Sequence, residues 1–206
     1  MQITKLQPIG KNRYNVFLND EIAFVLYKGD LRHLRIKEGE ELSQDIYEHI
    51  MREVLPGRAK ARILYLLDKM DYTEMQLRRK LREGRYPGEV IDAAVFRAKN
   101  DGYIDDTCYA RRYVECKLKK KSKRQIYLDL QNKGIKKEVI DGAFMELEEE
   151  GQISNELLIA VNILKKRHYD NRIADDKEKS KQIRYLISKG ISYENASRAM
   201  NEICEE

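Results

Sequence analysis

The stretch that decides the fold is Gly102–Phe144, GYIDDTCYARRYVECKLKKKSKRQIYLDLQNKGIKKEVIDGAF. Its apolar spacing predicts three short helices. Tyr109, Ala110, Tyr113 and Val114 recur on one helical face. Asp105-Asp106 precedes that helix and suits an N-cap plus a negative charge at the positive end of its dipole. Ser122-x-x-Gln125 reads as a capping box, opening a second helix with Ile126, Tyr127 and Leu130 inward. Gly134 supplies the left-handed residue that ends it. The third helix carries Val139, Ile140, Ala143, Phe144 and Leu147 at the same spacing.

The pattern recurs on both sides. Upstream, Thr73-x-x-Gln76 repeats the capping box, and Leu77 and Leu81 stand where Ile126 and Leu130 do. Tyr86, Ile91, Ala94 and Val95 match Ile135, Ile140, Ala143 and Phe144. Downstream, Leu186, Gly190, Ile191, Ala196, Ala199 and Met200 keep the register of Leu130, Gly134, Ile135, Ile140, Ala143 and Phe144. Glu178 takes the place of Ser122 there, so no capping box is expected in the third copy. Repeats of one supersecondary unit indicate a tandem helical array.

Residues before Pro56-Gly57 follow another period. Tyr14–Leu18 and Ile22–Leu26 alternate around Asn19-Asp20, a hairpin signal. Ile3–Leu6 is a candidate third strand, because a lone hairpin is barely stable. The expected organisation is a β-hairpin subdomain at 1–56 and helical repeats at 57–104, 105–152 and 153–206. Ile63, Leu66, Leu67 and Met70 form one stripe of the first repeat, and Pro87 suits the first residue of its last helix. The last repeat starts near Asn155 and carries Leu157, Leu158, Val161 and Leu164. The fold class is mainly α: an elongated array of three three-helix repeats with a small N-terminal β subdomain.

Charged residues make up 36% of the 206 residues and hydrophobic ones 42%, which suits small bundles with one buried stripe per helix. No apolar run approaches the roughly 20 residues that span a bilayer, and the N-terminus lacks the charged-then-apolar pattern of a secretion signal. A cytoplasmic protein without membrane contact is expected. Cys108, Cys116 and Cys204 lie at no metal-ligand spacing and read as small buried or half-buried thiols. His33, His49 and His168 are scattered, so neither a metal nor a cofactor is expected. Phosphate loops, nucleophile elbows and zinc-protease motifs are absent, which argues against an enzyme.

Charge is uneven along the chain. From Arg111 to Lys137 there are eleven Lys/Arg against Glu115 and Asp129, a local +9 within an overall +5. From Glu138 to Glu156 there are seven acids and no base. The candidate binding residues are Arg111, Arg112, Lys117, Lys119, Lys120, Lys121, Lys123, Arg124, Lys133, Lys136 and Lys137, a positive potential able to steer a polyanion. No base-reading element accompanies them, so contacts should be to phosphate and weakly selective. Residues 1–56, with nine acids against eight bases, carry no such signal. Tyr103, Tyr109, Tyr113 and Tyr127 fall beside apolar residues and read as core rings with wet hydroxyls.

The segment GYIDDTCYARRYV resembles the G-Y-[IL]-[DN]-D-x-x-[FY]-A signature of the RecX regulatory proteins, which modulate the RecA recombinase. LRRKLREGRYPGEVIDAAV from Leu77, IYLDLQNKGIKKEVIDGAF from Ile126 and the fainter third copy agree with it, over about residues 58–203. The hairpin region resembles the longer RecX form. The resemblance implies a curved array lying along the RecA–DNA filament as a monomer, blocking filament growth, slowing ATP hydrolysis and restraining strand exchange without chemistry of its own. The basic residues would then meet DNA phosphate or an acidic RecA surface. Many members carry Gly, often Gly-Pro, where this chain has Ser122-Lys123, so that turn is expected to differ. The alternatives are a DNA-binding protein that acts without RecA and a helical scaffold for another protein.

Overall fold

The computed structural model describes residues 1–151 and 156–203; Asn155 and Cys204, singled out above, lie outside them. Two compact units divide the chain, Met1–Asp105 and Asp106–Glu206.

In the first unit, β1 (Ile3–Ile9), β2 (Arg13–Leu18) and β3 (Glu21–Tyr27) form an antiparallel sheet in the order β1-β2-β3. Asn19 (φ 50°) and Asp20 (φ 70°) make the two-residue turn, the left-handed pair that a twisted hairpin requires. Val16, Leu18, Phe24 and Leu26 face inward. Helix α1 (Lys28–His33) leaves the sheet directly.

One long helical rod follows: α2 (Gln44–His49), a π-helical turn (Ile50–Val54) and α3 (Leu55–Leu67). The wide turn sits just before Pro56, whose ring would clash with the carbonyl four residues back and which has no N–H to offer it. The Leu55 N–H reaches Ile50 O instead. Then come α4 (Glu74–Glu83) and α5 (Gly88–Asn100). Pro87, expected as the first helical residue, is instead the N-cap of α5, one place before its first helical residue Gly88. Ala59, Ile63, Leu66, Leu77, Leu81, Ile91, Ala94 and Val95 join the sheet residues in a single core. The sheet and the first bundle therefore stabilise each other. Met70, read as part of that stripe, is 57% exposed because the helix has ended before it.

The second unit holds two bundles, each with its own core. Helices α6 (Asp106–Lys117), α7 (Lys123–Asn132) and α8 (Lys137–Glu149) enclose Ala110, Val114, Ile126, Leu130, Ile140, Ala143, Phe144 and Leu147. Helices α9 (Glu156–Lys166), α10 (Asp176–Ser188) and α11 (Tyr193–Glu202) enclose Ile159, Ala160, Leu164, Leu186, Ile191, Ala196, Ala199 and Met200. Leu158, expected inward, is 52% exposed. Gly134 and Gly190 terminate α7 and α10 at φ 85° and 81°, and the following N–H closes back on Leu130 O and Leu186 O. The first bundle puts Arg85, at φ 59°, in the same place.

The three helix starts are built differently. Thr73 and Gln76 form the reciprocal capping box expected from their spacing. Ser122 accepts the Gln125 N–H, but Gln125 does not reach back. The Ser122 hydroxyl instead donates to the Lys189 carbonyl of the next bundle. In the third copy the helix begins a turn earlier, capped by Asp175 on the Glu178 N–H.

Candidate polyanion-binding surface

The segregated charges of the sequence meet in space. The Arg111 guanidinium contacts Glu150 at 2.6 Å and Glu146 at 3.6 Å, and Lys123 contacts Glu148 at 2.7 Å. This follows from the bundle itself, since α6 packs along α8 and the acidic end of α8 comes beside both cations. The two poles read from the sequence thus partly neutralise each other. Lys121 bonds to Asp129, which also accepts from the Tyr113 hydroxyl at 2.9 Å. Burial works against ionisation of Asp129, but the bonds from Lys121 and Tyr113 and the charges of Lys121 and Lys133 hold its pKa below the ordinary value. Burial, then the Asp129 bond, pushes Tyr113 up to about 12.

The other candidate cations divide by position. Lys119, Lys120, Lys136 and Lys137 are exposed at the two turns of the second bundle, and none has an ion-pair partner among the described residues. Arg112 is exposed on α6, and Lys117 is half-buried with its ammonium 5.9 Å from the Tyr113 ring. Lys133 lies over both Tyr109 (5.8 Å) and Tyr113 (5.4 Å), whose rings stack 6.2 Å apart. The stem of Arg124 lies against Gly190, where an added Cβ would meet Arg124 Cβ at 2.7 Å. Arg124 therefore belongs to the joint between bundles as much as to the charged surface.

A tyrosine beside two cations recurs in every bundle, which the sequence reading did not single out. In the third, Tyr185 has Arg167 at 4.1 Å and Lys189 at 5.2 Å. In the first, Tyr65 has Arg62 at 5.5 Å and Lys69 at 4.2 Å. The visible signal for the first was the spacing Arg58-x3-Arg62-x2-Tyr65-x3-Lys69, a stripe that runs along α3 and into the turn after it. Tyr109, Tyr113 and Tyr127 pack on the second core as read. Tyr103 does not: it is 49% exposed, because it follows the end of α5. It lines a groove of about 830 Å³ with Tyr47, Met51, Lys60, Ala94 and Arg97. Cys108 and Cys116 are both exposed, contrary to the buried thiols expected, since the inward face of α6 is taken by Ala110 and Val114. No cluster of potential metal ligands occurs among the described residues, and none of their helices is long and apolar enough to cross a membrane.

Two family models match the chain: the first three-helix domain of RecX at residues 59–97 and the second at 105–143. A regulatory protein RecX from Caldanaerobacter subterraneus subsp. tengcongensis is 31% identical over 203 residues, covering 98% of this chain and 99% of the relative. The chain belongs to the RecX family of regulatory proteins. A RecX from Clostridium beijerinckii is 30% identical over 97% of this chain and 93% of its own length. A crystal structure of regulatory protein RecX superposes with a TM-score of 0.62 at 26% identity, over 98% of this chain and all of that one. RecX from Lactobacillus salivarius, at 20% identity and a TM-score of 0.57, covers 72% of this chain and 96% of its own and supports the fold alone. The second RecX domain match contains all eleven candidate cations; the first contains Arg62, Tyr65 and Lys69.

Proposed function

We propose that this chain is a non-enzymatic cytoplasmic regulator that binds the RecA recombinase or its DNA filament and restrains filament growth, ATP hydrolysis and strand exchange during recombination, DNA repair and the SOS response. RecX membership over nearly the whole chain supports the regulatory role. The single observation that carries the contact surface is the set of exposed lysines at the turns of the second bundle, Lys119, Lys120, Lys136 and Lys137, which the acidic end of α8 does not neutralise. Such charges reach a polyanion without first breaking an internal pair. In this reading the segments 1–56, 57–104, 105–152 and 153–206 act as modules of one monomer, and neither metal nor cofactor takes part.

The test is RecA ATPase on single-stranded DNA with substoichiometric chain. The wild type should slow hydrolysis and shorten filaments. Reversing Lys119, Lys120, Lys136 and Lys137 to Glu should abolish the effect while helical circular dichroism is unchanged, since none of the four supports the fold. No effect of the wild type on rate or filament length would refute the reading. Full inhibition by the reversed variant would refute the assignment of the surface.

A further inference from the structure

We propose that the outer face of the N-terminal sheet docks one amphipathic helix of a partner protein, apolar along its contact stripe, with a hydrogen-bond donor at the centre and carboxylates on both flanks. This face belongs to the first unit, whereas the cations invoked above belong to the second. Its contact is apolar where those offer only charge, so it goes beyond the function proposed above and does not rest on it.

Strand register defines the face. Side chains alternate along each strand, and residues opposite one another point the same way. Val16, Phe24 and Leu26 point into the core, so the rows on the other side are Lys5–Phe17–Ile22, Gln7–Asn15–Val25 and Ile9–Arg13–Tyr27. Arg58 of α3 already lies 4.0 Å from the Tyr27 ring, which leaves the rest of the face open to a partner.

Two observations point to a partner. An antiparallel sheet with one solvated face ordinarily puts polar residues there. Here Ile9, Phe17, Ile22 and Val25 stand on it, and none of them joins the core of the first unit. Ile22 is 42% exposed and the other three are half-buried, an apolar patch of the kind that marks an interaction site. Asn15, at the centre of the face, is the second sign. It is 4% exposed, and its amide nitrogen donates to Gln7 Oε1 at 3.1 Å, but its Oδ1 is buried with no hydrogen-bond partner among the described residues. A buried acceptor left unpaired is costly and calls for explanation; a donor on a docked chain would satisfy it.

Size and charge decide the partner. Three strands spaced ~4.8 Å apart make a face about 10 Å wide, the diameter of one helix with its side chains. Three rows at every second residue run about 13 Å, roughly two helical turns. A helix is also an element that commonly covers the bare face of a sheet. Lys5 and Arg13 sit diagonally across the rows, both exposed and without an ion-pair partner among the described residues, and the rows hold no Asp or Glu. A second copy would set these cations against themselves with no carboxylate to meet them, so the charges select a different chain with acidic flanks. A polyanion would engage the cations and leave Ile9, Phe17, Ile22 and Val25 uncovered.

The test uses the full chain and a fluorescently labelled synthetic helix of about 20 residues, read by anisotropy. The peptide carries a leucine stripe, one glutamine at its centre and glutamates on both flanks; a sister peptide carries lysines on the flanks. The glutamate peptide should bind about tenfold more tightly or better than the lysine one. Val25→Asp should weaken it about tenfold or more, with helical circular dichroism unchanged because Val25 lies outside the core. Should that variant fail to fold, the double variant Lys5→Glu with Arg13→Glu decides, since it should reverse the flank preference. Replacing the central glutamine of the peptide by leucine should weaken binding to the wild type and not to Asn15→Val. The proposal fails if neither peptide binds, if both bind equally, or if the charge-reversed chain keeps the wild-type preference. It also fails if the wild type sediments as a dimer that Val25→Asp dissolves, or binds phosphatidylglycerol vesicles through Val25, because the face would then serve a second copy or a lipid surface.

Discussion

Thr73 and Ser122 hold the same place in two copies of one motif, both fully buried and both capping the middle helix of a bundle. Thr73 closes a reciprocal pair with Gln76. Ser122 caps with its oxygen and sends its proton to Lys189 of the following bundle, leaving Gln125 without its half of the exchange. A local motif has become a joint. The two residues are interchangeable as spacing; what differs is what packs on them, and only the second has a neighbouring bundle at that spot within its own unit.

The largest expected effect comes from the other side of that joint. Gly190 and Gly102 share a left-handed conformation, at φ 81° and 75°, yet a Cβ on Gly190 would lie 2.7 Å from both Ser122 Oγ and Arg124 Cβ, whereas one on Gly102 meets nothing within 4 Å. Gly102→Ala should therefore cost about 1 kcal/mol, the backbone strain alone. Gly190→Ala should cost that plus about 1–3 kcal/mol of overpacking. It should also speed proteolysis of α9–α11 in particular. Equal losses in urea denaturation would mean that the joint contributes nothing. Ser122→Ala comes next, at about 2 kcal/mol, for a cap and a bond lost together. Thr73→Ala should cost less, about 1 kcal/mol for the cap.

The middle helices also differ in titration. Asp129 of α7 corresponds to Lys80 of α4, which pairs with Glu83 instead. The lowered pKa of Asp129 means that the folded second bundle binds this proton less readily than the unfolded chain. Its contribution is present above the ordinary carboxylate range and is lost as pH falls through the lowered value, below about 4. Tyr113 has the opposite sign. Its raised pKa gives a contribution present below about 10 and lost as pH rises toward about 12. Tyr113→Phe should flatten the alkaline limb of stability against pH, and Asp129→Asn the acid limb. An unchanged alkaline limb in Tyr113→Phe would show that burial and the Asp129 bond together do not separate the titration of Tyr113 in the folded chain from that in the unfolded one.

The repeats were legible because each bundle must bury one stripe and stop each helix, and both needs write directly into spacing. Leu77, Leu81, Ile126, Leu130, Gly134 and Gly190 all stand where that logic puts them. Charge was legible only as content. Arg111 and Lys123 meet Glu150 and Glu148 across 39 and 25 residues of chain, a pairing that depends on how α6, α7 and α8 pack and not on local order. The tyrosine–cation clusters were missed for a related reason. Tyr65 lies on the face that helical periodicity leaves unassigned, and its link to Arg58, Tyr27 and Arg13 passes through the sheet. The Ser122–Lys189 contact, 67 residues apart, left no trace in either segment beyond the glycine that allows it.

The smallest effect expected is a gain. Where α7 and α10 end on Gly134 and Gly190, α4 ends through Arg85, held at φ 59° by the Tyr86 N–H bonding back to Leu81 O. A side chain in this region costs roughly 1 kcal/mol relative to glycine, offset in part by the greater freedom glycine gives the unfolded chain. Arg85→Gly should therefore stabilise the first unit by a few tenths of a kcal/mol, seen as a small rise in its urea midpoint with an unchanged slope. It also removes one positive charge from the Arg58–Tyr86 segment. If the variant is instead destabilised, the Arg85 side chain must hold the α4–α5 turn through its packing, and the first bundle would then close that turn by a different device from the other two.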